Sequence, residues 1–148
     1  MKKLAILTVI SLCFITGCGG TKTMVCTRTA NQNNMEMDLH YEVEYTKKDV
    51  NKVKTTEKIK SSSEALLETY KSTIEAAYEP YKDIEHYNYN VTIEGDTLIS
   101  TTEIDYDKID TEKLLEVDSA NGKLIKDGKI NIEELRSAYE SLGATCEN

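Results

Sequence analysis

The chain has 148 residues, 30% of them charged, a formal charge of −8 and a mean hydropathy of −0.48. That length makes one ordinary domain with a core, too small for a two-lobed receptor that closes around a solute. The acidic balance excludes a basic nucleic-acid binder, because no Lys/Arg excess exists to collect phosphates, and so polar a composition excludes a multi-pass membrane protein.

Met1-Lys2-Lys3 supplies a positive end, and Leu4 to Thr16 form an apolar run too short for a spanning helix of about 20 residues. The run ends in Phe14-Ile15-Thr16-Gly17-Cys18-Gly19. Small residues before a cysteine, directly after an apolar run, resemble the bacterial lipoprotein signal, the lipobox. The resemblance implies that residues 1–17 are a removed signal peptide and that Cys18 is acylated and becomes the new N-terminus. It would then hold the protein in the cell membrane on the extracytoplasmic face. A diacylglyceryl group provides the two chains that stable anchoring requires. A plain secretory signal with Cys18 as a free thiol is the alternative. Residues 19–25 have no pattern and are expected to continue from Cys18 as a tether, so that 18–25 precede one globular domain at 26–148.

Removal of the signal takes Cys13 with it and leaves Cys26 and Cys146, one at each end of the domain. In an oxidising compartment such a pair is expected to form a disulfide; two free thiols are the alternative. No CxxC motif is present, and two cysteines with two distant histidines give no metal-ligand spacing.

Residues 35–45 alternate strictly, Met35, Met37, Leu39, Tyr41, Val43 and Tyr45 against Glu36, Asp38, His40, Glu42 and Glu44, which predicts a strand with one buried face. Lys47-Lys48-Asp49 is expected to turn it into a second strand. Pairing Thr46 with Val50 sets Glu44, Glu42, Asp38 and Glu36 against Lys52, Lys54, Lys58 and Lys60, and Val43 and Met37 against Val53 and Ile59. A one-residue slip destroys both sets. The acidic row is therefore read as half of a charge ladder, and Glu57 is its misfit, falling opposite Leu39 on the apolar face. Ser61 and Glu64 stand at capping-box spacing before a helix with an apolar stripe of Leu66, Leu67, Tyr70, Ile74, Ala77, Tyr78 and Tyr81, closed by Pro80.

A second hairpin turns at Gly95-Asp96, pairing Ile93 with Leu98 and Tyr87 with Ile104, with His86 opposite Asp105. A short helix starts at Asp110 or Thr111. A longer one is capped by Asn131, directs Ile132, Leu135, Ala138, Tyr139 and Leu142 inward, and ends at Gly143. The order β-β-α-β-β-α-α predicts an α+β fold, two antiparallel hairpins in one sheet with helices on one face.

Chemistry-bearing patterns are sparse. Asp127-Gly128-Lys129-Ile130-Asn131-Ile132-Glu133-Glu134 matches the second half of an EF-hand loop, but Lys123 and Ile125 fall where Ca²⁺ needs oxygen ligands, so a turn and a capped helix are expected. Asp105, Asp107 and Asp110 cluster at a strand-to-helix junction, read as a helix cap and a partner for His86 ahead of a weak Ca²⁺ site. No nucleophile elbow or glycine-rich phosphate loop is present, and no pair among the 26 acids is singled out. A non-enzymatic protein without a cofactor or metal is expected. Tyrosine is the oddity: nine residues, no tryptophan, and a single phenylalanine within the signal. Tyr70, Tyr78, Tyr81, Tyr87 and Tyr89 project from a helix and a strand that should pack together, either as an amphipathic core or as a groove for a peptide or glycan.

Three stretches together resemble the small YehR-like bacterial lipoproteins, a family of unknown function: the lipobox at Cys18, Thr102-Glu103-Ile104-Asp105-Tyr106-Asp107-Lys108-Ile109-Asp110, and the terminal helix from Glu134 to Gly143 with its closing cysteine. The resemblance implies an α+β domain over most of residues 26–146 and supplies no catalytic or ligand residues. The function expected is a monomeric, lipid-anchored module that binds another envelope component, protein or glycan. A small-molecule or glycan binder using the tyrosine groove is the alternative.

Overall fold

The computed structural model describes residues 20–32 and 35–148, so the expected signal peptide and the expected acylation site Cys18 lie outside the described residues. Its elements are β1 (Lys22–Gln32), β2 (Met35–Thr46), β3 (Asp49–Lys60), α1 (Glu64–Tyr78), a 3₁₀ turn (Glu79–Tyr81), β4 (Tyr87–Glu94), β5 (Thr97–Asp105), α2 (Thr111–Val117), a 3₁₀ turn (Asn121–Lys123), β6 (Ile125–Lys126), β7 (Lys129–Ile130), α3 (Ile132–Ser141) and β8 (Thr145–Glu147). The antiparallel sheet has strand order β4-β5-β3-β2-β1-β8, and β6 and β7 form a separate small hairpin. The fold is α+β, with two more sheet strands than the sequence pattern predicts.

The extra strands occupy one side of the sheet. Residues 22–25, expected in the tether, begin β1, where Met24 is wholly buried. β8 has three residues and pairs with β1 so that Cys146 lies directly opposite Cys26, and the two form the disulfide, with an S–S distance of 2.01 Å. This cross-link closes a 120-residue separation, a constraint on the unfolded chain of about 5 kcal/mol in the loop-entropy picture.

The β2–β3 register places Glu44, Glu42, Asp38 and Glu36 opposite Lys52, Lys54, Lys58 and Lys60, and Val43 and Met37 opposite Val53 and Ile59. The turn departs from expectation. A bulge shifts the register beyond Glu44, so Tyr45 pairs with Val50 and Thr46 with Asp49. Only Lys47 and Lys48 remain in the turn, with Lys47 at φ 59°. Ladder partners also look sideways: Lys52 bonds Glu103 of β5 at 3.2 Å.

Helix ends follow local hydrogen bonding. Ser63, not Ser61, caps α1, its oxygen accepting from the Leu66 amide. Ser61 is buried at the end of β3, where its amide donates to the Asp96 carbonyl, so it extends the strand. Asp110 caps α2, accepting from the Glu112 and Lys113 amides, and Asn131 caps α3, accepting from Glu133. Leu142, expected inward, is 57% exposed because α3 ends at Ser141 and Gly143 turns the chain at φ 89°. The Gly95-Asp96 turn stands as expected, with Gly95 at φ 62°. Asp127 and Gly128 form the turn between β6 and β7, both with positive φ. His86 meets Asp105 through its backbone carbonyl, while the Asp105 carboxylate binds Lys108 at 2.9 Å.

The helices cover one face of the sheet, and the other face carries the ladder and threonines. Beneath the helices the core divides. One cluster gathers Met24, Tyr41, Val43, Val53, Leu114, Ile130 and Leu135 under α2 and α3; a second joins Met35, Ile59, Leu67 and Leu98 under α1. No described helix is long and apolar enough to cross a membrane.

Candidate functional site: a polar break between the two cores

The gap between the cores is where the apolar alternation fails. Strand registry places Val91, Ser100, Glu57, Leu39 and Arg28 in one row across five strands, and Tyr89, Thr102, Thr55, Tyr41 and Cys26 in the next. Alternation turns all of these side chains toward the helix-covered face. α1 packs on β4 and β5, and the end of α3 reaches β2, where Tyr139 stacks on Tyr41 at 4.2 Å. Between the helices Glu57, Leu39 and Arg28 remain half-buried.

Glu57 is the central feature. Burial pushes its carboxyl above the usual carboxylate range, and among the described residues it has no ion pair. Directly opposite it on β5 stands Ser100, 2% exposed, whose hydroxyl has no hydrogen-bond partner among the described residues. Such neighbours have Cβ atoms about 5 Å apart. Tyr41 and Thr102 stand on the diagonals. Burial raises the Tyr41 phenol; the Glu57 charge raises it further and Arg28 opposes this. Thr102 Oγ1 donates to the Tyr78 hydroxyl at 2.9 Å. Arg28 stands two strands from Glu57, and its Nε lies 3.9 Å from where a side chain on Gly143 would begin.

The five tyrosines expected to share a groove are divided among three places. Tyr81 and Tyr87 stack at 4.6 Å on the edge of the larger core. Tyr78 and Tyr89 meet at 5.1 Å beside the polar rows, and Tyr70 packs on the smaller core. Burial, aided by a hydrogen bond to Asp118, pushes the Tyr81 phenol up to about 12; burial also raises Tyr87. These hydroxyls serve the core rim as much as any opening. Glu57 was visible in the sequence as a break in the alternation. Ser100, Arg28 and Tyr139 gave no such sign, because serine and arginine are ordinary strand residues and the Tyr41–Tyr139 stack joins distant elements.

The hollow at the β2–β3 turn is crossed by internal bonds. The hollow at the β2–β3 turn, of about 580 Å³, includes Asp49, Asn51, Asp107, Asp127 and Lys129 in its wall. There Lys129 binds Asp49 at 2.5 Å, and Asn51 donates to both Asp107 oxygens at 3.0 Å. On the outer face, His40 lines a hollow of about 290 Å³ with Asp38, Thr56 and Lys58. Among the described residues no three His, Cys, Asp or Glu side chains converge to hold a metal. Of the polar rows, the half-buried Glu57 carboxylate, diagonal to the Tyr41 ring, is the group suited to meet a hydrogen-bond donor.

No family model and no curated protein sequence matches the chain. Among solved structures, a Streptococcus pneumoniae TIGR4 protein is 14% identical, with a TM-score of 0.57 over 99% of this chain and 97% of that one. The Escherichia coli YehR protein is 22% identical, with a TM-score of 0.59 over 86% of this chain and 92% of its own. At those identities the likeness is one of architecture, and the fold of this chain is that of YehR.

Proposed function

We propose that this chain is a membrane-anchored extracytoplasmic lipoprotein and a non-enzymatic binding module, receiving an envelope component at the half-buried polar row around Glu57, between α1 and α3. The anchor rests on the apolar run ending at Gly17-Cys18. The single observation that carries the binding role is Glu57, a half-buried carboxylate with no ion pair among the described residues, standing opposite Leu39 on an otherwise apolar face. A purely structural core would replace it with an apolar side chain at no cost in bonds.

The anchor is tested in cells. A globomycin-type block of signal removal makes the acylated precursor accumulate, and Cys18→Ser abolishes acylation and releases the domain from membranes. A precursor that does not accumulate defeats the anchor. Crosslinking on intact cells from a photoreactive residue at Leu142, on the exposed end of α3, tests the partner: capture that survives Glu57→Gln unchanged places binding elsewhere. A second reading, a small-molecule or glycan binder, draws on the Tyr78–Tyr89 pair beside the polar rows, since aromatic faces suit sugar rings. Loss of glycan binding in Tyr78→Ala with retention in Glu57→Gln would favour it.

A further inference from the structure

We infer that the hollow at the β2–β3 turn binds the phosphoethanolamine headgroup of a membrane lipid, with its ammonium at Asp107 and Asp127 and its phosphate at Lys47; the lipid source rests on reading Cys18 as the anchor. Three loops distant in sequence build this hollow at one end of the sheet: the β2–β3 turn, the segment from β5 into α2, and the β6–β7 turn. Its volume of about 580 Å³ lies within the range of small-molecule sites, and the buried Val50 and Ile109 form its apolar floor.

The charges left free in the wall select the ligand. Lys129 and Asp49 neutralise each other at 2.5 Å, and Asn51, which donates to Asp107, brings no charge. What remains is one cation, Lys47, against two carboxylates, Asp107 and Asp127. Lys47 and Asp127 have no ion pair among the described residues. A simple anion would meet both carboxylates and a simple cation would meet Lys47, whereas a molecule with a charge of each sign suits the whole wall. A divalent metal is not served, because among the described residues no three His, Cys, Asp or Glu side chains converge to hold one.

Three acceptors stand on the acidic side. Thr111 Oγ1 lies 3.6 Å from where a side chain on Gly128 would begin, which brings its hydroxyl beside the turn that carries Asp127. The Asp107 oxygens accept from the Asn51 amide and keep further lone pairs. A primary ammonium offers three N–H donors to Asp127, Asp107 and Thr111, while a trimethylated one offers none. The wall therefore suits ethanolamine over choline.

Position supplies the lipid. Lys22 pairs with Tyr45, the neighbour of Thr46 in the wall of the hollow, and only residues 19–21 separate Lys22 from Cys18. Lipid on Cys18 holds this end against the bilayer surface, where a short tether presents headgroups at high effective concentration. Weak intrinsic affinity then suffices, as expected of exposed charge pairs.

The test is an NMR titration of the processed protein, in a non-ionic detergent, with glycerophosphoethanolamine, following the amides of Lys47, Asp107 and Gly128. Parallel arms use glycerophosphocholine, glycerophosphoglycerol, ethanolamine and sodium phosphate. Saturable shifts with glycerophosphoethanolamine are expected, with binding at least about tenfold weaker in the other arms. Asp127→Asn should weaken binding about tenfold and Lys47→Ala about threefold, while Ser62→Ala at the opposite end leaves it unchanged. Equal affinity for glycerophosphocholine, or unchanged affinity in Asp127→Asn, overturns the inference. The source is read in nanodiscs, where the same shifts are expected with phosphatidylethanolamine and not with phosphatidylcholine alone. Binding of the free compound without shifts in those discs overturns the lipid source. Silence in every arm from protein whose Cys18 carries lipid by mass spectrometry overturns the inference and leaves the anchor standing. Protein without lipid on Cys18 defeats the anchor and, with it, the lipid source.

Discussion

Glu57 and Ser100 impose a cost on the fold. A carboxyl whose value is raised by burial is held more tightly as the neutral acid in the folded than in the unfolded chain. Its favourable contribution is complete below the unfolded value and is lost as pH rises through the folded one. Arg28, Tyr41 and the Tyr78 phenol are the ionisable groups around it, and the causes of its shift include none of them. Glu57→Gln is therefore expected to stabilise the protein by about 1 kcal/mol at neutral pH, the low end for an uncompensated polar group because water still reaches the carboxyl. In urea titrations the advantage over wild type should shrink toward zero as the acid becomes protonated below about pH 4. A Glu57→Gln variant less stable at neutral pH would mean that the carboxylate has a favourable partner. Ser100→Ala should raise stability by up to about 1 kcal/mol, since it removes a buried hydroxyl with no partner among the described residues. Thr102→Val, which breaks the Thr102–Tyr78 bond, should lower it by about 1 kcal/mol in the same assay.

At the scale of elements, strands with a strict period announce themselves and strands held by distant partners do not. β2 and β3 were legible to the residue over most of their length because apolar and charged sets both demand one register, whereas the bulge near the turn depends on backbone pairing that composition does not encode. β1 escaped notice because its inward positions Met24, Cys26, Arg28 and Ala30 include only two strongly apolar side chains, among threonines common in loops. β8 is too short to show a period, and its place follows from Cys146 meeting Cys26. The caps at Asp110 and Asn131 were legible, since a short polar side chain before an apolar stripe satisfies open amides wherever it stands. The polar break at Glu57 was legible only as a defect, one acid on an apolar row. Asn131→Ala should cost about 1 kcal/mol in thermal unfolding through loss of its bond to the Glu133 amide. Reducing the disulfide should cost about 2–5 kcal/mol, with faster amide exchange at Thr145 and Thr27, whose pairing it secures, than at Val43 and Val53 in the sheet centre. Exchange that accelerates equally at all four sites would mean that the bridge supports the whole sheet and not its edge.

For the whole molecule, the early start of β1 bears on how the domain would stand on a membrane. With lipid on Cys18, only residues 19–21 separate the anchor from Lys22, which pairs with Tyr45 at the end of the sheet carrying the β2–β3 turn. That end also holds the turn between β6 and β7, close to Lys47 and Asp107 around the 580 Å³ hollow. The opposite end carries the Gly95-Asp96 turn and the start of α1, joined by the Ser61–Asp96 backbone bond. β2 and β3 are each 12 residues long, so the two ends stand about 40 Å apart. A tether of three residues reaches about 10 Å, too little to let the sheet lie freely at any angle. The lipidated protein on vesicles containing a spin-labelled quencher lipid should therefore show strong quenching of a fluorophore at Lys48→Cys and little at Ser62→Cys, both exposed positions. Equal quenching at the two sites would defeat the upright orientation, because it requires the sheet to lie flat or the lipid to be attached elsewhere. Upright placement keeps the membrane at one end of the strands and leaves the half-buried polar row around Glu57, midway along the sheet, away from the lipid surface.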